Sequence, residues 1–423
     1  VKMTMKISSR IAMFLTIMGP GIITAFADND AGGIATYAAA GAKYGYGLLF
    51  TMFLSTIALA IAQEISARTG AVTGRGLADL IRELYGVKWT LFAMLVLLIA
   101  NLGTTVSEFS GIATSLEIFG ISKYISVPAT ALIVWWLVIK ADYAKTEKIF
   151  LSLCILFSSY VISCIIIDPP WTDVMIASVK PSFTPDAEYL LMAIGVIGTT
   201  ITPWGQFYVQ ASIVDKGITS KNYIYTKWDV FIGSFFTGFV AFFIIVATAA
   251  TLYVNHIPIE TAKDAAISLE PLAGKYASIL FALGLFGASM LAAFILPLST
   301  AYAICEAFGF EQGISKTPKE APVFFGLYTA VIIFSVFIVL WPGLSLYNVM
   351  LMTQVVNGVL LPPILVFMVL IANNKNVMGE YTNSHTFNII SWIFIIILII
   401  LTIMLLAFTI APALTTTLQE FIK

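Results

Sequence analysis

The sequence predicts an all-α polytopic membrane protein, on three observations. Hydrophobic residues make up 59% of the 423 positions and charged residues only 11%, against about 25% charged in a soluble domain. Apolar stretches run almost without interruption from Ile11 to Leu414, which argues for one embedded unit (1–423) rather than two or three soluble domains. The basic residues, finally, fall asymmetrically between alternate connections.

A spanning helix needs about 20 mostly apolar residues. With Gly, Pro and charge clusters as punctuation, eleven segments are read near 11–43, 48–67, 89–119, 124–141, 146–168, 187–214, 228–254, 276–306, 322–341, 344–372 and 386–412. With the N-terminus cytoplasmic and the C-terminus outside, 16 of the 22 Lys and Arg face the cytoplasm and 6 the outside. That bias supports both count and orientation. The expected location is the plasma (inner) membrane of a prokaryote, with the lipid bilayer as a partner. No cleavable signal peptide is read, because the first apolar segment is long and contains acidic residues. Cys154 and Cys164 share one predicted helix about 15 Å apart, too far for a disulfide. With Cys305 they read as structural thiols. A net charge of −1 and the lack of a basic tract give no basis for nucleic-acid binding.

Two segments are not plain apolar runs. The first reads GPGIITAFADNDAGGIATYAAAGA and the sixth AIGVIGTTITPWGQFYVQASIV. Asp28, Asn29, Asp30, Gly32 and Gly33 interrupt the former; Thr199, Thr200, Thr202, Pro203, Gly205 and Gln206 interrupt the latter. Both helices should unwind there. First and sixth are equivalent positions of two five-helix halves (11–168 and 187–372, with 386–412 additional), and an odd number of helices inverts the second half. Interrupted helices in matching positions point to a transporter site at the membrane midplane. A kink alone is common, but two carboxylates two residues apart at that depth are costly and mark function.

The breaks offer carboxylates, carbonyls, hydroxyls and an amide, with no His, Cys or Met. Such a set suits hard divalent cations, Mg2+, Mn2+ or Ca2+. His256 and His385 lie at segment ends and read as surface residues. Two adjacent carboxylates need a cation between them or a proton on one. Alternatively, one Asp is a ligand and the other lines the outer entrance. Glu64 and Arg68, one turn apart at the inner end of segment two, read as a structural pair or a solvated helix end. No cofactor is expected, and an intramembrane aspartyl protease, which needs its acids on separate helices, is disfavoured. A gated channel and a sodium-coupled organic-solute carrier are the other readings; the acidic break disfavours an anionic substrate.

The stretches GPG…DNDAGG…AT, GVIGTTITPW, QEISARTGAVTGRGLADLIRE and TQVVNGVLLPPILVFMVLIANNKNVMG together resemble the NRAMP divalent-metal transporters over nearly the whole chain. The resemblance implies a LeuT-type 5+5 inverted repeat and alternating access around a metal between helices one and six. The chain departs from the family where the metal binds. The Asp-Pro-Gly-Asn signature is Asp30-Ala31-Gly32-Gly33 here, and Met-Pro-His-Asn is Thr202-Pro203-Trp204-Gly205. A second family His falls near Val209 or Gln210, and an acidic pair on helix three reads Thr105 and Glu108. This pattern is similar to the NRAMP-related magnesium transporters. Gly33 and Thr202 in place of Asn and Met should leave room for a hydration shell, which Mg2+ sheds reluctantly.

From the resemblance, Asp30 is expected to be the principal ligand. Asp28 is a second carboxylate nearby or at the entrance. Thr202 and the carbonyls of Ala27 and Thr199 are oxygen donors, and Gln206 holds a coordinated water. Gln354 matches a glutamine that closes over the metal, or is a packing amide. Trp204 shapes the cavity wall. Glu108 is a vestige of a proton route or a packed acid. With Thr105 in place of a carboxylate and no His nearby, uncoupled uptake is expected, with proton-coupled Mn2+/Fe2+ symport as the alternative.

Overall fold

The computed structural model describes residues 19–140, 154–184 and 186–410. Among them the chain is helical, with no strand. In lipid every backbone polar group must be satisfied internally, which helices do within one segment.

Segment one begins, among the described residues, at α1 (Pro20–Asp28) and continues as α2 (Ala31–Tyr44). Then come α3 (Leu49–Thr73), α4 (Leu77–Glu117), α5 (Lys123–Lys140), α6 (Ser158–Ile167) and α7 (Trp171–Val179). Segment six is α8 (Ala187–Thr200) and α9 (Pro203–Asp215), followed by α10 (Tyr223–Thr248). The remainder is α11 (Ala277–Phe308), α12 (Pro322–Val339), α13 (Leu346–Ala372) and α14 (His385–Ile410).

Nine stretches among the described residues are long and apolar enough to cross a membrane. The other two of the eleven expected segments do not meet that length. Segment one is split into halves of 9 and 14 residues, and segment five is described only from Cys154 onward, with 146–153 outside the described residues. Likewise 11–18 and 411–412 lie outside them. Segment three starts at Leu77 rather than near 89, where it was expected because charge clusters such as Arg82 and Glu83 lie ahead of the apolar run. In fact 77–85 is a short amphipathic helical stretch that buries Leu77, Ala78, Leu80 and Ile81. Gly86, with φ 80°, turns it into the spanning part. The short helix α7 was also not expected.

Both breaks are narrower than the sequence implied. Only Asn29 and Asp30 separate α1 from α2, and Ile201 and Thr202 separate α8 from α9. Pro203 sits at the first turn of α9, where its missing N–H leaves nothing unsatisfied. The two broken helices run antiparallel. Gly19, before α1, lies beside Lys216, after α9, while Lys43 in the last turn of α2 pairs with Glu188 in the first turn of α8 at 2.6 Å. Exposed ion pairs contribute little, so Glu188→Gln should leave thermal stability within about 1 kcal/mol of wild type. A larger loss would mean that this contact holds the half-helices together.

All described arginines (Arg68, Arg75 and Arg82) lie at the end where α1 starts and α9 finishes, called here the arginine end. The α8–α13 crossing fixes the register between one broken helix and the helix behind it. A Cβ on Gly198 would collide with Gln354 O and Gly358 N, and one on Gly358 with Ile194 O. These are backbone atoms, so only glycines allow the approach.

Candidate metal centre

The two breaks meet at one depth. Thr202 Oγ1 donates to Asp28 Oδ1 at 2.8 Å, and Gln63 Nε2 of α3 donates to Asp28 Oδ2 at 3.4 Å. Both Asp28 oxygens are thus engaged. Asp30 is the N-cap of α2, where its Oδ1 accepts from Gly33 N at 2.6 Å. An N-cap carboxylate satisfies an orphan amide and faces the positive end of the helix. Its Oδ2 receives no donor among the described residues.

Glu108 of α4 reaches the same helix start, with Oε2 accepting from Ala31 N at 3.1 Å. Its carboxyl also lies beside that of Asp30. Glu108 is thus packed and hydrogen-bonded through Oε2, while its Oε1 has no hydrogen-bond partner among the described residues. Thr105 does not join it: its hydroxyl bonds back to Asn101 O at 2.7 Å.

The glycines act by close approach rather than by unwinding. Gly32 and Gly33 lie inside the first turn of α2, not in the break. A Cβ on Gly33 would stand 3.0 Å from Thr199 Oγ1, 3.2 Å from Asp28 O and 3.2 Å from Asp30 Oδ1. The missing side chain therefore gathers these oxygens rather than opening free space, which corrects the expectation of simple room for water. At Gly32 a Cβ would collide with the Gln354 amide, so Gln354 lies across the start of α2. Gln354 Oε1 accepts from Asn357 Nδ2 at 2.9 Å, and Asn357 is held by Thr104 of α4 at 2.8 Å. The amide hence presents Nε2 to the break, and direct ligation through its oxygen requires rotation away from Asn357.

Gly205 packs beside Thr202 and Asp28, its missing Cβ 3.1 Å from Thr202 Oγ1 and 3.5 Å from Asp28 Oδ1. Trp204 is fully buried against Tyr208, as a wall residue would be. Gln206 is fully buried too. Ala27 and Thr199 occupy the last turns of α1 and α8, where C-terminal carbonyls lack intrahelical partners and the helix dipole is negative. His256 and His385 are exposed, away from the breaks. Cys164 and Cys305 are buried free thiols.

Several buried atoms here have no hydrogen-bond partner among the described residues: Asp30 Oδ2, Asn29 Oδ1, Thr199 Oγ1, Glu108 Oε1, both Gln206 amide atoms and Gln354 Nε2. Buried polar groups are nearly always paired, so such a concentration around two helix breaks marks a place built to meet something polar. Among the described residues no group of three or more His, Cys, Asp or Glu is arranged to hold a metal. Charge is supplied sparingly, by carboxylates spaced among neutral oxygens. Thr202→Val removes the donor that orients Asp28 and should weaken divalent-cation binding about tenfold, the usual worth of a hydrogen bond to a charged group. Calorimetry reads this directly, and unchanged affinity would leave Asp28 without a role in binding.

Sequence reasoning missed Gln63, Asn357 and Asp229. Asp229 of α10 accepts from Gly19 N at 3.2 Å and Gly21 N at 2.7 Å, capping α1. Their signal was polarity inside apolar helices, but their partners lie as many as 253 positions away.

Comparison with known proteins agrees with this geometry. Residues 21–408 match the Nramp family, described as natural resistance-associated macrophage protein-like. The structure is similar to that of an Eremococcus coleocola manganese transporter in complex with an aromatic bis-isothiourea compound. That match has a TM-score of 0.77 at 20% identity over 97% of this chain and 92% of the other. A mutant of the same transporter gives 0.79 at 18% identity over the same shares. Mhp1, a nucleobase-cation-symport-1 family transporter in a closed conformation, gives 0.54 at 13% identity over 88% of this chain and 81% of that one. These likenesses fix a LeuT-like inverted-repeat fold, and with the match over residues 21–408 the chain belongs to the Nramp family of divalent-metal membrane transporters and is not an enzyme.

Proposed function

We propose that this chain takes up divalent cations by alternating access, Mg2+ foremost and Mn2+ also, without obligatory proton coupling. The observation that carries the reading is the cradle around Gly33: Asp30, Thr199 and the Asp28 carbonyl converge on one point, and every group there is a hard oxygen or an amide. No thioether or imidazole selects a softer metal. Asp30 is the principal ligand, since among the described residues its Oδ2 alone of the four aspartate oxygens in the break receives no donor. Ala27, Thr199, Thr202 and Gln206 complete the shell, directly or through water. The arginine end faces the cytoplasm of a prokaryotic cell, in keeping with the positive-inside bias, and 11–168 and 187–372 are the two repeats.

A dication moving into a negative interior gains about 4.6 kcal/mol per 100 mV, twice the single-charge value. That drives accumulation without a second ion. The test is metal flux into proteoliposomes, with Mg2+ against Mn2+ and internal pH followed at the same time. Mg2+ uptake at an unchanged internal pH supports the reading; stoichiometric acidification overturns it. Two observations favour a second reading, proton-coupled Mn2+ symport: the Glu108 carboxyl lies beside Asp30, and a structural relative is a manganese transporter. Acidification with Mn2+, and no competition by millimolar Mg2+, would establish it.

A further inference from the structure

At the arginine end, α3, α9 and α10 meet in an apolar cluster separate from the main core: Ala67, Ala71, Val209, Ile213, Ile218 and Val230, with Tyr223 and Tyr225 packed on it. The cluster stands between the breaks and that end along two of the helices that line the site, since Gln63 and Gln206 lie one turn toward the midplane from Ala67 and Val209. Its edge is bounded by an ion pair. Arg68 Nε bonds Glu64 Oε1 at 3.0 Å and Nη2 bonds Glu64 Oε2 at 3.1 Å. Arg68 is 7% exposed and Glu64 4%.

The pair is cross-linked outward on every side. Tyr223 Oη, at the start of α10, donates to Glu64 Oε1. Arg68 donates to Tyr381 O and to Asn383 Oδ1, and its guanidinium lies 6.0 Å from the Phe387 ring centre. Asn383 continues to Asn388 at 3.0 Å, and Asn388 to Asn373 at 2.6 Å. One network hence joins α3, α10 and the ends of α13 and α14.

We propose that Glu64, Arg68 and Tyr223 form a latch that holds this apolar plug shut, and that the latch must open for cargo to pass at the arginine end. A buried ion pair is a poor way to gain stability, because desolvation offsets the attraction, and its best-attested use is to fix one arrangement over another. Here both partners stand on α3, and the Tyr223 hydroxyl that donates to Glu64 ties the pair to α10, so α3 and α10, two of the three helices that form the plug, are held in one mutual position. Tyr223 belongs to both plug and latch, so parting the helices breaks its hydrogen bond.

The test uses the full chain with its three native cysteines replaced and Ile213→Cys introduced as a reporter inside the plug. A membrane-impermeant maleimide is applied to each face of proteoliposomes without metal, so the result is independent of which cation is carried. Tyr223→Phe, which removes one hydroxyl and leaves the ring, should raise labelling from the arginine side about fivefold, as expected for the loss of one hydrogen bond. Glu64→Gln should raise it further. Labelling unchanged in Tyr223→Phe, with monodisperse protein and metal binding retained, overturns the proposal. If Glu64→Gln fails to fold, Tyr223→Phe alone decides. Labelling that rises equally from both faces indicates general loosening and also counts against a latch.

Discussion

Asp30→Asn is expected to leave the protein folded and to abolish metal binding, whereas Asp30→Ala should lose both binding and some stability. The two variants separate the two jobs of one side chain. Asp30 caps α2 through Oδ1 and Gly33 N, a role that Asn fills nearly as well and Ala does not; the difference is about 1 kcal/mol. On the proposed reading the charge, beyond its favourable place at the helix start, serves the cation. In a fully buried site a carboxylate attracts a dication far more strongly than in water, so its removal should weaken binding at least about 100-fold. Calorimetry with Mg2+ and Mn2+, together with thermal melting, gives both readouts. Wild-type flux through the Asn variant would remove Asp30 from the site.

The second large effect is architectural. Gly198→Ala is expected to lower stability by at least about 3 kcal/mol, the upper part of the overpacking range, because the added methyl meets the backbone of Gln354 and Gly358. A side chain can swing aside, but a helix backbone cannot without moving the helix. Separating α8 from α13 also shifts Thr199, next in sequence, and lifts Gln354 from Gly32. Fluorescence-detected size exclusion after a temperature ramp measures the loss. Gly74→Ala is the contrast: its φ of 64° strains an alanine, yet nothing lies within 4 Å of the added atom, so its cost should stay near 1 kcal/mol. Equal melting temperatures for Gly198→Ala and wild type would mean that the crossing is not tight.

The residues legible in the sequence are those whose meaning is local. Pro203 and the acidic pair Asp28 and Asp30 announce interrupted helices wherever they fall in an apolar run, and their matching positions carried the inverted architecture. The glycines were misread in a revealing way. Gly32 and Gly33 suggested unwound chain, but they sit in helix because Gln354 and Thr199 come close to them, and both partners arrive from far along the sequence. Glu108 posed the same difficulty: an acid inside an apolar helix has no visible partner until Ala31 N is brought to it. The stretch 77–85 was hidden because Arg82 and Glu83 look like loop when only apolar length is counted.

The cap that Asp229 places on α1 has a mechanical consequence. Because its carboxylate grips Gly19 and Gly21, and because a Cβ on Gly233 would run into Gly21 O, α1 is fastened to α10 at the end remote from the break. The nine-residue rod is about 13 Å long, with its joint at Asn29 and Asp30. A tilt of about 20° about that joint carries the fastened end through roughly 5 Å for a rod of this length, while oxygens at the joint move by a small fraction of that. The proposed metal site thus sits at the fulcrum of a lever whose long arm is tied to its neighbour.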